Sequence, residues 1–215
     1  MDQREGVQCA YCRANWRVRQ LAGVLLGDIE DRTGQRYRTV SNMVRNGAVH
    51  VLEIAEINKL PGLHRYLLRL PRLSYSEYGG RNSEDLMALS YQDDTFDYVL
   101  TSDTLEHIPD FDLALSEIRR VLKPGGKHIF TIPIIWDRRT RRRAEAVNGV
   151  IVHHLPPSHH GAPRNSPEDY LVFNEFGGDV IQRVEKAGFS VACIREPENE
   201  LVVTIVATKC GNSIH

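Results

Sequence analysis

The chain predicts an open α/β fold, with helices between the strands of a sheet and an antiparallel hairpin at the end. Three stretches carry that expectation. Phe96–Ser102 is a buried apolar run that breaks into the polar Thr101-Ser102-Asp103 and is followed by an amphipathic helix, a Lys123-Pro124-Gly125-Gly126 stop and a second apolar run, His128–Pro133. Upstream, apolar runs and helical stripes alternate between Val49 and Tyr78. Downstream, runs near 189–194 and 200–208 are joined only by Glu196-Pro197-Glu198-Asn199, too few residues for a parallel crossover, so they predict an antiparallel hairpin.

Taken in order, Val18, Leu21, Ala22 and Leu25 fall at helical spacing and predict a helix over 16–26 ahead of the sheet. Residues 28–47 are polar and predict a loop or a short helix. Val49–Ile54 is the expected first strand, ending in the acid Glu53 and its neighbour. Leu63, Tyr66, Leu67 and Leu70 then share a helix face. Leu73–Tyr78 alternates like a strand and stops at Gly79-Gly80, and Asp85–Leu89 is a short third segment. Asp110 is the expected N-cap of the next helix, with Phe111, Leu115, Ile118 and Leu122 as its buried stripe. Residues 135–170 interrupt the rhythm with arginines, histidines and prolines, and a helix near Glu175–Ala187 restores it. The expected organisation is a helical lead-in over 1–46 joined to an α/β body over 47–215, with no repeat and no second domain.

A length of 215 residues suits one hydrophobic core. A formal net charge of -1 makes nucleic acid an unlikely partner. No apolar run approaches the roughly 20 residues that span a bilayer, and the polar start Met1-Asp2-Gln3-Arg4-Glu5 lacks a leader's apolar core, so a cytoplasmic protein without membrane contact is expected. Four scattered cysteines do not form a disulfide framework.

The run from Phe96-Asp97 through Leu105-Glu106-His107-Ile108-Pro109-Asp110 to Arg120-Val121-Leu122-Lys123-Pro124-Gly125-Gly126 closely resembles the class I S-adenosylmethionine-dependent methyltransferases. The resemblance is strongest over 84–134. It implies a Rossmann-like, doubly wound, mostly parallel sheet closed by one antiparallel strand, S-adenosylmethionine as cofactor and transfer of its methyl group to a small acceptor. It also implies a cofactor set: Glu53 as the acid of the first-strand loop, Glu77 on the ribose hydroxyls with Tyr78 beside it, Asp85 on the adenine amino group with Leu86 against the ring, and Ser102 and Asp103 along the wall. An acid about twenty residues beyond the first strand suits a ribose on general grounds too. The family's three glycines after the first strand are missing, for Ala55-Glu56-Ile57-Asn58-Lys59-Leu60-Pro61 reaches Gly62 without one. A subgroup associated with sugar and cell-surface biosynthesis has a similar loop, a Cys-x-x-Cys start (here Cys9 and Cys12), a Ser-Glu-Tyr strand (Ser76-Glu77-Tyr78) and a late His-Pro-Pro segment (His154-Leu155-Pro156-Pro157-Ser158-His159-His160-Gly161). The rival expectation is a protein of this fold that binds a ligand or partner chain without methyl transfer.

Methyl transfer to a hydroxyl or amine needs alignment and removal of a proton. His154 and His159, within a cluster that includes His153 and His160, are candidate bases, and a solvated loop or a metal site are the other readings. His107 is a third candidate base, or else a residue that caps or packs under the following helix. No residue is assigned to a metal; Cys9 and Cys12 are half of a zinc knuckle or two ordinary thiols. Arg138, Arg139, Arg141, Arg142 and Arg143 are a solvated face or, through Arg141, Arg142 and Arg143, the receptor for an anionic, sugar-linked acceptor.

Overall fold

The computed structural model describes residues 8–80, 82–159 and 170–211. The N-terminal helix α1 (Trp16–Thr33) is capped by Asn15, whose side chain accepts from Val18 N–H, and ends on Gly34 at φ 68°. It runs farther than its apolar spacing suggests, through part of the expected 28–47 loop. After α2 (Val40–Met43) and a 3-10 turn over Gly47–Val49 comes β1 (Ile54–Ile57). Then follow α3 (His64–Leu67), β2 (Leu73–Ser76), β3 (Phe96–Ser102), α4 (Phe111–Val121) and β4 (Leu122–Thr131). A small subassembly comes next: β5 (Ile134–Ile135), β6 (Arg141–Arg142), the hairpin β7 (Ala144–Val147) and β8 (Val150–His153), and β9 (Asn174–Gly177). Helix α5 (Val180–Lys186) and the strands β10 (Phe189–Glu196) and β11 (Asn199–Lys209) complete the chain.

The main sheet has the order β10-β11-β4-β3-β1-β2. β2, β1, β3 and β4 are parallel; β11 is antiparallel to β4 and to β10. The chain leaves β1 toward β2 and then returns to its other side as β3. The order therefore reverses between β1 and β3, and in an open α/β sheet the crevice outside the carboxyl ends at such a point is the ligand site.

Alternating side chains divide the core between the two faces of the sheet. Phe96, Val99, Ala55, Ile57 and Phe130 face the side holding α4 and α5 (Phe111, Leu115, Ile118, Val180, Val184). Tyr98, Leu100, Ile54 and Ile129 face the side holding α1 (Val18, Leu21, Leu25, Ile29). The lead-in helix thus shares its core with the sheet.

Four expectations are corrected. The first strand is Ile54–Ile57, whose residues are all buried as a central parallel strand requires, whereas Val51 stands 60% exposed outside the sheet. Asp85–Leu89 is a turn closed by an Asp85–Ala88 bridge, not a strand. Lys123-Pro124-Gly125-Gly126 lies within β4, where the pairing register to β3 shifts between Phe96 and Tyr98 and Gly125 takes φ 75°. The helix expected from Glu175 starts at Val180, because 174–177 forms β9 instead; a Cβ on Gly177 would lie 2.1 Å from the Arg138 carbonyl.

Candidate active site

The crevice at the β1/β3 switch point is walled by the residues that follow β1, β2, β3 and β4. Glu56, within β1, is completely buried and accepts from Leu60 N–H at 2.9 Å and from His64 Nδ1 at 2.6 Å. Burial pushes its carboxyl pKa up, opposed by the His64 and Leu60 hydrogen bonds. The same two bonds fold the loop after β1 back onto its strand. The His64 ring lies 4.4 Å from that of Tyr75, and the Tyr75 hydroxyl donates to Glu77 Oε2 at 2.6 Å. Burial and the neighbouring Glu77 carboxylate raise the Tyr75 phenol, so it stays a donor. A buried acid in β1 is linked in this way to an exposed acid just past β2.

Asn58, directly after β1, has φ 61°. Its N–H donates to the Ser76 carbonyl and its Oδ1 accepts from Tyr78 N–H, both at 2.9 Å. Its Nδ2 lies 3.5 Å from Thr104 Oγ1. Asp103, after β3, also has positive φ, 46°. Its carboxylate pairs with Arg17 of α1 and accepts from Thr131 Oγ1 at 3.2 Å, while Thr131 Oγ1 lies 2.8 Å from Ser102 Oγ. Asp85 is exposed and accepts from Met87 N–H at 2.8 Å; the adjacent Leu86 is buried.

The expected cofactor residues divide accordingly. Glu77, Tyr78, Ser102 and Asp103 stand at carboxyl ends of the parallel strands, with Asp85 and Leu86 in the following turn. Glu53 does not. It precedes β1 at the amino ends of the strands, pairs with Arg72 at 3.0 Å and takes its backbone contact from Asp97, so it is withdrawn from the cofactor set. Asp103 is engaged by Arg17 and Thr131 and fixes the wall.

The three candidate bases lie on different supports. His107 Nδ1 is 3.0 Å from the Leu171 carbonyl, which only accepts, so Nδ1 carries a proton, and Nε2 lies 4.0 Å from Glu106 Oε1. Leu171 also bridges to His159, and Phe173 N–H donates to the Glu106 carbonyl. His107 and the His159 backbone are therefore brought to one strip beside β3. His154 is elsewhere: it follows the β7–β8 hairpin, is 43% exposed and lies 3.3 Å from Glu145. His160 and Gly161 lie outside the described residues.

The arginines are not a freely solvated run. Arg138, Arg141 and Arg143 all converge on Glu175 of β9 at 2.8–2.9 Å. These guanidiniums hold the Glu175 carboxyl below its ordinary range against the effect of its partial burial. Arg142 reaches the Pro109 carbonyl at 3.2 Å and Glu145 at 3.4 Å. Three cations on one carboxylate leave an excess of positive charge next to the 104–109 wall. At the other end of the chain, Cys9 accepts from the Cys12 and Tyr11 backbones, which lowers its thiol pKa. Among the described residues no group of three metal-ligating side chains is found.

Glu56, His64, Asn58 and Arg17 were not among the expected site residues. The only sequence signal was an acid inside the apolar run Ile54-Ala55-Glu56-Ile57, the kind of buried charge that requires a partner.

Residues 73–130 match the family described as "Methyltransferase domain". The chain is 33% identical over 115 residues to a demethylmenaquinone methyltransferase of Streptomyces avermitilis, covering 49% of this chain and 47% of that protein. It is 42% identical over 48 residues to phosphoethanolamine N-methyltransferase 2 of Caenorhabditis elegans, covering 22% of this chain and 11% of that one. A solved O-methyltransferase family protein from Burkholderia thailandensis superimposes with a TM-score of 0.48 and 13% identity over 81% of this chain and 56% of that chain. The chain spans about half the length of the Streptomyces relative and about a tenth of the nematode one. The matched segment covers β2, β3, α4 and most of β4, so the likeness to methyltransferase domains falls on that part of the chain.

Proposed function

We propose that the chain binds S-adenosylmethionine in the β1/β3 crevice and directs its methyl group to a small anionic or sugar-linked acceptor. The observation that carries this reading is Glu77: an exposed acid at the carboxyl end of β2, aimed by Tyr75, beside the switch point and inside the matched segment. The residues present fit the cofactor. Glu77 supplies acceptors for ribose hydroxyls, Asp85 for an adenine amino group, and Leu86 an apolar surface beside it. Ser76, next to Glu77, keeps a buried hydroxyl with no hydrogen-bond partner among the described residues.

When bound, the cofactor supplies an already activated methyl group on a sulfonium. The chain's own work is then alignment and proton removal. His107, with Nε2 beside the Glu106 carboxylate, is a candidate base, and His159 is held on the same strip through Leu171. His154 remains a candidate on the neighbouring hairpin. Arg141, Arg142 and Arg143 offer the excess positive charge that an anionic acceptor would meet. The two relatives' names specify a quinone and a phosphorylated amine for those proteins; the second has the charge that these arginines suit. No helix among the described residues is long and apolar enough to cross a membrane.

The absence of glycine at 55–61, where the family has three, favours a second reading, a chain of this fold that binds a ligand without methyl transfer. Calorimetric titration with S-adenosylmethionine and S-adenosylhomocysteine separates the two. Saturable binding of both supports the enzyme; no heat with either at millimolar ligand supports the rival.

A further inference from the structure

Residues 58–61, directly after β1, include no glycine to let a cofactor approach their backbone, yet Asn58 adopts the left-handed conformation that glycine most often occupies. Asparagine is among the few other residues found there. What it adds is a side chain, and that side chain reaches both neighbouring strands. Its Oδ1 holds Tyr78 N–H, next to Glu77, and its Nδ2 comes within 3.5 Å of Thr104, whose hydroxyl donates to the Ser102 carbonyl at 3.2 Å. Its own N–H holds the carbonyl of Ser76. The backbone after β2 is thereby tied to the end of β1, on both sides of the Glu77 carboxylate: Ser76 before it and Tyr78 after it.

Resting on the cofactor reading above, we infer that Asn58 is a positioning residue for the cofactor. It replaces loop flexibility with a fixed bridge across β1, β2 and β3 that sets where Glu77 presents its carboxylate.

The test uses the full chain and S-adenosylhomocysteine as the probe. Asn58→Gly keeps the positive φ without strain and removes only the bridge. The expected result is faster hydrogen exchange at the Tyr78 amide, a melting temperature within a few degrees of wild type, and a Kd raised about tenfold, the size of one lost hydrogen bond. Asn58→Asp retains an acceptor for Tyr78 N–H and tolerates positive φ, so it should keep the Tyr78 amide protected and bind more tightly than Asn58→Gly. If Asn58→Gly does not fold, Asn58→Asp and Asn58→Ser decide by the same amide and the same Kd. Unchanged or tighter binding by variants that lose Tyr78 protection overturns the inference while leaving the cofactor reading intact. Absence of binding by wild type overturns both.

Discussion

His64 Nδ1 lies 2.6 Å from Glu56 Oε2, and the carboxylate it meets has no exposed surface. A charge buried inside a central strand is tolerated only with a partner, and this pair also folds the loop that follows back onto β1. Removing the imidazole leaves the acid with Leu60 N–H alone. His64→Ala should therefore lose about 3 kcal/mol of unfolding free energy, in the range for breaking a buried pair. In urea denaturation, the double variant Glu56→Gln with His64→Ala should recover part of that loss. A single-variant loss below about 0.5 kcal/mol, the scale of an ordinary surface substitution, would show that the pair does not hold the loop.

Gly62 serves the N-terminal segment. At φ 82°, a Cβ there would lie 2.6 Å from the Cys12 carbonyl and 2.7 Å from Ala14. Gly62→Ala should cost about 2 kcal/mol or more, combining an unfavourable φ with a backbone collision. A melting temperature equal to that of wild type would mean the 12–14 segment moves aside freely.

His128 predicts an acid-labile sheet. It is fully buried in β4, stacks on Phe130 and contacts Thr101 Oγ1 at 3.0 Å; burial alone depresses its pKa from 6.5 to about 3. The folded state thus binds the proton more weakly than the unfolded state. The stability tied to neutral His128 is complete above pH 6.5 and is lost as pH falls from there toward 3. Unfolding measured at pH 7 and pH 4.5 should differ by about 2–3 kcal/mol from this group, and His128→Leu should flatten that part of the profile. A wild-type profile as flat as the variant's would contradict the assignment.

The arginine cluster predicts a separation of acceptor from cofactor. Replacing Arg141, Arg142 and Arg143 by Gln should raise the KM for an anionic acceptor, more so at low salt, with the Kd for S-adenosylhomocysteine within about twofold of wild type. Glu175→Gln should act oppositely on KM, since it removes the carboxylate on which Arg138, Arg141 and Arg143 converge. Equal KM values in all variants would leave these residues a structural tie between β6 and β9.

For the proton acceptor, His107→Ala or His159→Ala should lower kcat by about 100-fold with donor binding retained, the scale of a positioned base. Full activity in both variants would move the role to His154 or leave the acceptor with no need of a base.

Legibility followed the range of the interactions. The 96–122 unit could be read because its signals are local: Asp110 accepts from Leu113 N–H as an N-cap, and Phe111, Leu115 and Ile118 form the buried stripe. β1 was misplaced because its acid is matched by an imidazole eight residues on, which periodicity does not see. The Arg17–Asp103 pair joins positions 86 residues apart, and Glu175 follows the arginines it gathers by more than thirty residues. Glu77 and Asp85 enter only through the family resemblance, whereas the role inferred for Asn58 lies in a backbone angle that no local pattern reveals.

The central claim is that Glu77 receives the ribose of S-adenosylmethionine at the end of β2. Titrating wild type and Glu77→Ala with S-adenosylhomocysteine tests it most directly. The account predicts saturable binding by wild type and a loss of about 1.5–3 kcal/mol in the variant, roughly 10- to 150-fold in Kd, with its melting temperature preserved. Wild-type binding left unchanged by Glu77→Ala, or no binding by folded wild type at millimolar ligand, would contradict it.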